Sequence, residues 1–378
     1  MAGDSIVILG VGDVGPIHEP MDKYVALVRP TLEQADLRIG MCERIYSDRG
    51  ALQLHSGVTE RPLKPFMMSI YSECGFDVVS VAGNHAMDWG PEPLLDTIET
   101  LHARGIKTVG GGRNLAEARK PAILERKGVR VAVLGYCSVL HEGYEAGTNK
   151  PGIAPLRART FYEQAEHQPG NPPNIITVPY PEDVAGMVDD IRAAKKNADV
   201  VILSLHWGIH FIPRVIADYQ PAIAETAFAA GADMIMGHHA HVPKAIAVHN
   251  GKVCFHSLSH FIMSTNFKSR LASRHPGKTM EQALKAFARK YGVEIRNDDP
   301  LPWGTHSKHS LIAKAVAGKK GIEKVSFLPV LIDQDLRPEI LRKGDARFDE
   351  SVNFMEWVSE DFNPRFQVEG DEVVITSV

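Results

Sequence analysis

Short apolar runs rich in β-branched residues alternate along the chain with segments of helical periodicity. The strand-like runs are residues 5–12, 36–43, 77–82, 129–137, 199–205 and 233–236. The helical patterns cover residues 24–34, 66–73, 91–104, 221–230 and 280–291. Because regular alternation of strands and helices is typical of α/β folds, we predict an α/β protein.

Two hairpin signals modify this prediction. Asn250-Gly251 separates the strand-like segments 245–248 and 252–256, and this dipeptide is the strongest short-range signal for a tight hairpin. A second turn at 369–372 lies within 365–378. Hairpins join antiparallel strands, so we expect mixed rather than purely parallel sheets. The segment 168–174 is rich in Pro, Gly and Asn and predicts a loop.

The length of 378 residues allows one large domain or two smaller ones. We predict a single domain over residues 1–378. We interpret residues 264–310 as an inserted helix with polar loops. We expect residues 311–378 to form strands and a helix that complete the domain. The insertion, which includes the polar segment 303–309, is either a lid over a crevice or an exposed connection.

Composition excludes several classes of protein. Lys plus Arg number 42 and Asp plus Glu number 46, which gives a net charge of −4 and no support for nucleic-acid binding. The sequence shows no signal-peptide pattern and no apolar run of membrane-spanning length, so we expect a cytoplasmic protein without a membrane partner. The four cysteines form no CxxC pair and predict buried, reduced thiols. The sequence leaves open whether the chain forms a homo-oligomer.

Polar side chains follow several of the predicted strands. They are Asp13, Glu43, Asn84, His85, His206 and the string His238-His239-Ala240-His241. In α/β sheets, ligands bind beyond the carboxyl ends of strands, so these groups are expected to converge on one crevice. Eight of the 17 histidines lie between residues 206 and 260. Carboxylate, amide and imidazole donors suit zinc, manganese or iron.

Each of these residues also has a structural interpretation. Asp13 could cap a turn, Asn84 and His85 could belong to one, and His206 could be a core histidine with its hydrogen bonds satisfied. Glu43 follows an apolar strand, where an unpaired carboxylate would be costly. A ligand role explains Glu43 better than a structural one.

The histidine string is the hardest of these motifs to explain structurally, because three imidazoles within four residues all need partners. In an extended chain, His239 and His241 would point to the same side. His238 would point away from them, and we assign it a structural role.

At these motifs the sequence resembles the CapA family, named for poly-γ-glutamate capsule biosynthesis, which belongs to the calcineurin-like metallophosphoesterase superfamily. The matching segments are residues 12–14, Glu43, 81–90, 149–156, 206–208, 231–233, 237–242 and 257–261. The resemblance implies a four-layer α-β-β-α sandwich of two mixed sheets. It also implies a site at the strand ends for one or two divalent metal ions, such as Mn, Zn or Fe.

Matching positions carry the family's roles onto this chain. The resemblance implies that Asp13 and His241 hold one metal, that Glu43 bridges two, and that Asn84, His206 and His239 hold the second. It implies that His85 acts beside the scissile bond as an acid or orienting group, and that Asp88 holds His85 in place.

The chain departs from the family pattern at several positions. The superfamily has Asp-x-His where Asp13 is followed by Val and Gly, and His18 could replace the missing ligand. His210 stands where the family has Glu, and His260 stands where it has Asn. With His256, these are extra imidazoles that could be ligands, acid–base groups or core residues. Among the arginines, Arg44, Arg113 and Arg214 could bind an anionic substrate or be surface charges.

Three functions fit these motifs and the departures from the family pattern. The first is a metal-dependent hydrolase acting on a small anionic substrate, either a phosphoester or an amide or γ-glutamyl bond. The second is a metal-dependent lyase, or another non-hydrolytic enzyme, acting on a small organic acid. The third is a non-catalytic factor in poly-γ-glutamate synthesis or export.

Overall fold

The computed structural model describes residues 5–54, 56, 62–266, 271–272, 276–296 and 299–376. Its strands are β1 Ile6–Gly15, β2 Leu37–Cys42, β3 Val78–Ser80, β4 Lys107–Val109, β5 Gly111–Gly112, β6 Ala122–Arg126, β7 Val129–Cys137, β8 Gly152–Ile153, β9 Ala158–Glu163, β10 Asn174–Pro179, β11 Val200–His206, β12 Met234–His238, β13 Ile246–His249, β14 Lys252–Phe255, β15 His260–Met263, β16 His309–Gly318, β17 Gly321–Ile332, β18 Pro338–Ile340, β19 Arg365–Glu369 and β20 Glu372–Thr376.

The α-helices are α1 Arg29–Leu32, α2 Ser69–Glu73, α3 Pro91–Ala103, α4 Leu115–Ala118, α5 Pro181–Lys195, α6 Tyr219–Ala230, α7 Met280–Tyr291 and α8 Ala346–Ser359. Short 3-10 helices occupy Asp22–Tyr24, Pro65–Met68, Thr305–Lys308 and Glu360–Phe362. No helix of the described residues is both long enough and apolar enough to cross a membrane. The predicted cytoplasmic location stays a prediction.

The larger sheet has the strand order β19-β20-β17-β16-β1-β2-β3-β4, with β15 beside β1 and β18 beside β17. β1 runs parallel to β2 and β15 but antiparallel to β16. The smaller sheet has the order β13-β14-β12-β11-β7-β6 and is parallel through β7, β11, β12 and β14. Both sheets are mixed, as the hairpin signals predicted.

The two sheets pack face to face, and helices cover their outer faces. Alternate residues of β1 and β11, such as Ile8 and Ile202, lie in the core between the sheets. Their neighbours Leu9 and Leu203 point outward into two separate apolar clusters beneath the helices. The period-two alternation of buried strands therefore builds the predicted four-layer α-β-β-α sandwich.

Several predicted boundaries differ from the structure. β1 extends to Gly15, so that Asp13 lies within the strand rather than after it. The helix predicted over 24–34 is a 3-10 turn followed by the four-residue α1, because Pro30 in the first turn of α1 cannot donate the hydrogen bond a continuous helix needs. The predicted Asn250-Gly251 hairpin joins β13 to β14 as expected.

The C-terminal strands join the larger sheet at its centre. β16 pairs with β1 over six residues and with β17 along nearly its whole length. These pairings support the prediction that residues 311–378 complete one domain with the N-terminal strands, and the domain division itself stays a prediction. The predicted loop 168–174 lies in the turn of a β9–β10 hairpin, whose exposed strands carry no buried run that would have revealed them.

The inserted segment is described apart from residues 267–270, 273–275 and 297–298, so those parts of the predicted insertion lie outside the described residues. A small apolar cluster joins Leu271, Ala283, Leu301 and Trp303 of this segment to Met263 of β15. All four cysteines are free and buried, as predicted.

His256 lies in the core away from the polar strand ends, contrary to its placement among the extra crevice imidazoles. The imidazole stacks on Trp207, with ring centroids 5.9 Å apart, and its Nδ1 lies 2.9 Å from the carbonyl oxygen of Ala245. Burial lowers the pKa of His256 to about 4.

This burial predicts a pH-dependent loss of stability. An unfolded His has a pKa of about 6.5, so between that pH and pH 4 the unfolded chain binds a proton that folded His256 does not. The folded state therefore loses stability relative to the unfolded state as the pH falls from 6.5 towards 4. Above pH 6.5, His256 is neutral in both states and causes no such loss. We expect urea unfolding to show that His256→Gln gains about 3 kcal/mol relative to the original protein between pH 7.5 and 4. A constant difference across this range would contradict the assignment.

Candidate metal centre

Two buried carboxylates lie side by side at the ends of β1 and β2. Asp13 is fully buried and Glu43 is 2% exposed. The backbone N–H of Asp13 donates to the carbonyl oxygen of Ser259, at 3.1 Å, and that of Glu43 to Val14, at 3.0 Å. A Cβ on Gly12 would lie 2.3 Å from the Ser259 oxygen. Glycine at position 12 therefore permits the close approach of the two segments that fixes Asp13.

Three histidines of the 238–241 string surround the carboxylate of Asp13. The backbone N–H of His239 donates to Oδ2 at 3.2 Å. His241 Nδ1 lies 3.5 Å from the same oxygen, and His238 Nδ1 lies 3.3 Å from Oδ1. His238 therefore contacts Asp13, and the prediction that it points away from this group is wrong.

The backbone conformation of the string explains this error. His239 and His241 have φ angles of 87° and 53°, so the segment after β12 is a tight left-handed turn rather than an extended chain. The i, i+2 argument therefore does not apply, and the turn itself brings the rings together. A Cβ on Gly237 would lie 2.1 Å from the His256 carbonyl oxygen, so only glycine fits where β12 enters the turn.

Glu43 faces imidazoles from three different segments. Its carboxylate oxygens lie 3.6 Å from His241 Nε2, 3.8 Å from His206 Nε2 and 3.9 Å from His85 Nε2. Burial, followed by repulsion from Asp13, raises the pKa of Glu43 well above its usual value. A bound cation would favour the ionised form of Glu43.

Asn84, His206 and His239 form a contiguous group beside Glu43. His206 Nε2 lies 2.8 Å from Asn84 Oδ1 and 3.2 Å from His239 Nδ1. These are the three residues that the family resemblance assigns to one metal. Burial lowers the pKa of His206, His239 and His241 well below the usual value, which keeps their rings neutral and able to act as ligands.

His85 is held by two further side chains. Its Nδ1 donates to Asp88 Oδ2 at 2.6 Å, and the hydroxyl of Tyr144 donates to the other Asp88 oxygen at 3.0 Å. Asp88 is 2% exposed, whereas the side chain of His85 is 24% exposed. The Tyr144–Asp88–His85 chain therefore orients a partly accessible imidazole at the edge of the cluster.

Two of the extra histidines lie at the site. The ring centroid of His210 is 3.7 Å from that of His239, and the ring of His260 is 5.8 Å from that of His241. Burial lowers the pKa of each to about 3. Both are therefore neutral imidazoles beside the cluster.

Aromatic rings form one wall of the site. Trp303 stacks on His241, with centroids 4.4 Å apart and an interplanar angle of 18°. Phe211 stacks on His210 at 4.7 Å and contacts Tyr291 of α7 at 5.3 Å. Trp303 of the inserted segment thus packs against His241 and His260. The lid interpretation of that segment stays a prediction.

The remaining candidate residues lie outside the buried cluster or at its edge. His18 is exposed in the loop after β1, which does not fit a replacement ligand in a buried cluster. Arg113 pairs with Glu99, and Arg214 pairs with Glu360 and Asp361, so both are surface charges. Arg44 is half-buried beside Glu43, and its positive charge acts to lower the pKa of that carboxyl group.

The donor set fits a divalent metal centre. One ligand atom each from Asp13, Glu43 and His206 lies within 4.8 Å of the others. Several buried polar atoms have no hydrogen-bond partner among the described residues: Asp13 Oδ1, Glu43 Oε2, His206 Nδ1, His238 Nδ1 and Nε2, His241 Nδ1 and His260 Nε2. Buried polar atoms normally have partners, and a cluster of oxygen and nitrogen donors suits Zn, Mn or Fe.

Sequence reasoning missed two residues that contact this group. Tyr144 and Phe211 lie in no recognisable motif, and their contacts with Asp88 and His210 arise only from the fold. Trp303 begins the segment 303–309, whose groups were expected to be able to meet a substrate, and its ring stacks on His241.

Comparisons with known proteins agree with the motif assignment. A sequence profile described as "Bacterial capsule synthesis protein PGA_cap" matches residues 1–265. The chain is 32% identical over 196 residues to the PGA biosynthesis protein CapA of Bacillus subtilis, which covers 52% of this chain and 44% of that protein. It is 27% identical over 238 residues to the capsule biosynthesis protein CapA of Bacillus anthracis, with coverages of 62% and 52%.

The chain therefore spans about half the length of the curated relatives that it matches. Among solved structures, it is similar to the calcineurin-like phosphoesterase YfkN from Bacillus subtilis, with 12% identity and a TM-score of 0.41 over 95% of this chain and 97% of that one. The profile covers well over half of the 378 residues, and the chain belongs to the bacterial capsule synthesis protein family PGA_cap.

Proposed function

We propose that this chain is a metal-dependent hydrolase acting on a small anionic substrate. The observation that carries the proposal is the buried cluster of Asp13, Glu43 and His206, whose donor atoms lie within 4.8 Å of one another. Asp13, Glu43, Asn84, His206, His239 and His241 would hold one or two divalent cations. When bound, such cations supply Lewis acidity that polarises a substrate oxygen and lowers the pKa of water.

The chain's own residues would position the reacting groups. Asp88 keeps a proton on His85 Nδ1 and fixes the ring, so that Nε2 faces the cluster and can exchange a proton with the leaving group. Neutral His210 and His260 extend the donor set. Arg44, beside Glu43, is the basic side chain placed to meet an anionic group such as a phosphoester or γ-glutamyl carboxylate.

The ligand assignment predicts that metal and activity are lost together. His239→Ala and His241→Ala each remove an imidazole from the buried cluster, so we expect loss of bound metal by elemental analysis and at least a hundredfold loss of rate. The assay substrates are p-nitrophenyl phosphate, bis-p-nitrophenyl phosphate and γ-glutamyl p-nitroanilide. His102→Ala, on the surface of α3, is the matched control. Normal metal content and full activity in both site variants would refute the assignment.

The orienting chain predicts a kinetic effect without metal loss. Tyr144→Phe removes the hydroxyl that donates to Asp88, and we expect kcat to fall about tenfold with KM and metal content unchanged. Tyr136→Phe is the control, because the Tyr136 hydroxyl donates to Asp190 at 2.8 Å on a different part of the fold. Equal effects of the two substitutions would contradict a role for Tyr144 in positioning His85.

A second candidate is a non-hydrolytic metal-dependent enzyme, such as a lyase acting on a small organic acid. The observation in its favour is His210, which stands where the family has Glu and packs against His239. Reaction in water labelled with oxygen-18 distinguishes the two. We expect one solvent oxygen in the product, and product without label would favour the lyase.

A third candidate is a non-catalytic role in poly-γ-glutamate synthesis or export, suggested by the names of the relatives. Binding of the polymer by the metal-loaded protein without turnover of any probe substrate would favour this role over the hydrolase.

A further inference from the structure

The hairpin of β9 and β10 stands apart from both large sheets. Its two strands pair only with each other among the described residues, from Ala158 opposite Pro179 to Glu163 opposite Asn174. An isolated two-stranded ribbon is at best marginally stable in water, and its open edges are templates for further strand pairing. The hairpin can therefore form backbone hydrogen bonds with a further strand.

The two edges of the ribbon differ in their surroundings. The β10 edge is tied to the rest of the protein, since the N–H of Thr177 donates to Asp218 Oδ2 at 3.0 Å and the Thr177 hydroxyl accepts from the N–H of Tyr219 at 3.1 Å. In β9, every residue from 159 to 163 is exposed. The accessible edge is thus that of β9.

The ribbon exposes large apolar side chains on both faces. The exposed fractions are 50% for Phe161, 71% for Tyr162, 62% for Ile175 and 45% for Val178. Phe161 and Tyr162 are adjacent in β9 and therefore project to opposite faces. A concentration of exposed apolar groups on one short hairpin marks an interaction surface.

The charges of β9 are complementary to those of the same strand in a second copy. Arg159 and Glu163 lie on the same face, two residues before and two residues after Phe161. If two β9 strands pair antiparallel about a two-fold axis at Phe161, Arg159 faces Glu163 of the partner subunit at both ends. Opposite charges directly across an antiparallel pair stabilise it, and the two Phe161 rings meet at the axis.

We propose that β9 is the dimerisation edge of this protein and that its occupant is β9 of a second copy of the chain. The pairing makes one four-stranded antiparallel sheet with the order β10-β9-β9-β10. Each copy contributes the same patch, as a two-fold interface requires. The proposal is independent of the metal centre and of the proposed hydrolase activity.

Charge reversal on the full chain tests the pairing register directly. Analytical ultracentrifugation over a range of concentrations should find the original protein dimeric. Arg159→Glu and Glu163→Arg alone each place like charges opposite one another at both ends, and we expect each to raise the dimer dissociation constant at least about tenfold. The double variant Arg159→Glu/Glu163→Arg restores both opposite pairs and should restore the dimer.

Controls separate this effect from misfolding and from another interface. Arg159 also stacks on Tyr180, with its guanidinium 4.5 Å from the ring centroid, whereas Glu163→Arg leaves that contact intact. Lys319→Glu reverses an exposed charge in the β16–β17 turn, away from the hairpin, and should not change the dimer. A monomeric original protein, single variants that dimerise normally, or a double variant that stays monomeric would each overturn the proposal.

Discussion

The burial of Asp13 and Glu43 side by side is the constraint on which the rest of this structure depends. Two carboxylates in the protein interior are costly unless cations or hydrogen-bond donors compensate them. His241 lies within 3.6 Å of both carboxylates, and His85 and His206 from two other segments complete the surroundings. Because these segments are far apart in sequence, the cluster exists only where the two sheets bring their strand ends together.

The fold meets this requirement through close backbone contacts. Gly12 and Gly237 allow β1 and β12 to approach the segments around Ser259 and His256 more closely than any side chain would permit. β11 carries His206 to the same level of the sandwich. The cluster is therefore held by strands with buried residues on both faces, and such strands suit a site that needs fixed ligand positions.

The residues that depart from the family pattern lie beside the buried cluster. His210 and His260 lie against the presumed ligands, and the inserted segment brings Trp303 onto His241. These rings make the surroundings of the cluster more apolar and more imidazole-rich than the family motif alone implies. In the proposed hydrolase, this wall and the charge of Arg44 would border the substrate.

The sequence alone determined an α/β fold with mixed sheets and most of the clustered residues, because apolar strand runs, hairpin turns and strand-end motifs are local patterns. The four-layer sandwich was implied only by the family resemblance. The sequence did not determine how the clustered residues meet. The left-handed turn at His239 and His241 reversed the predicted orientation of His238, and burial placed His256 in the core and left His18 on the surface. The contacts of Tyr144, Phe211 and Trp303 could not be predicted either, since contacts between distant segments depend on packing that no local pattern encodes.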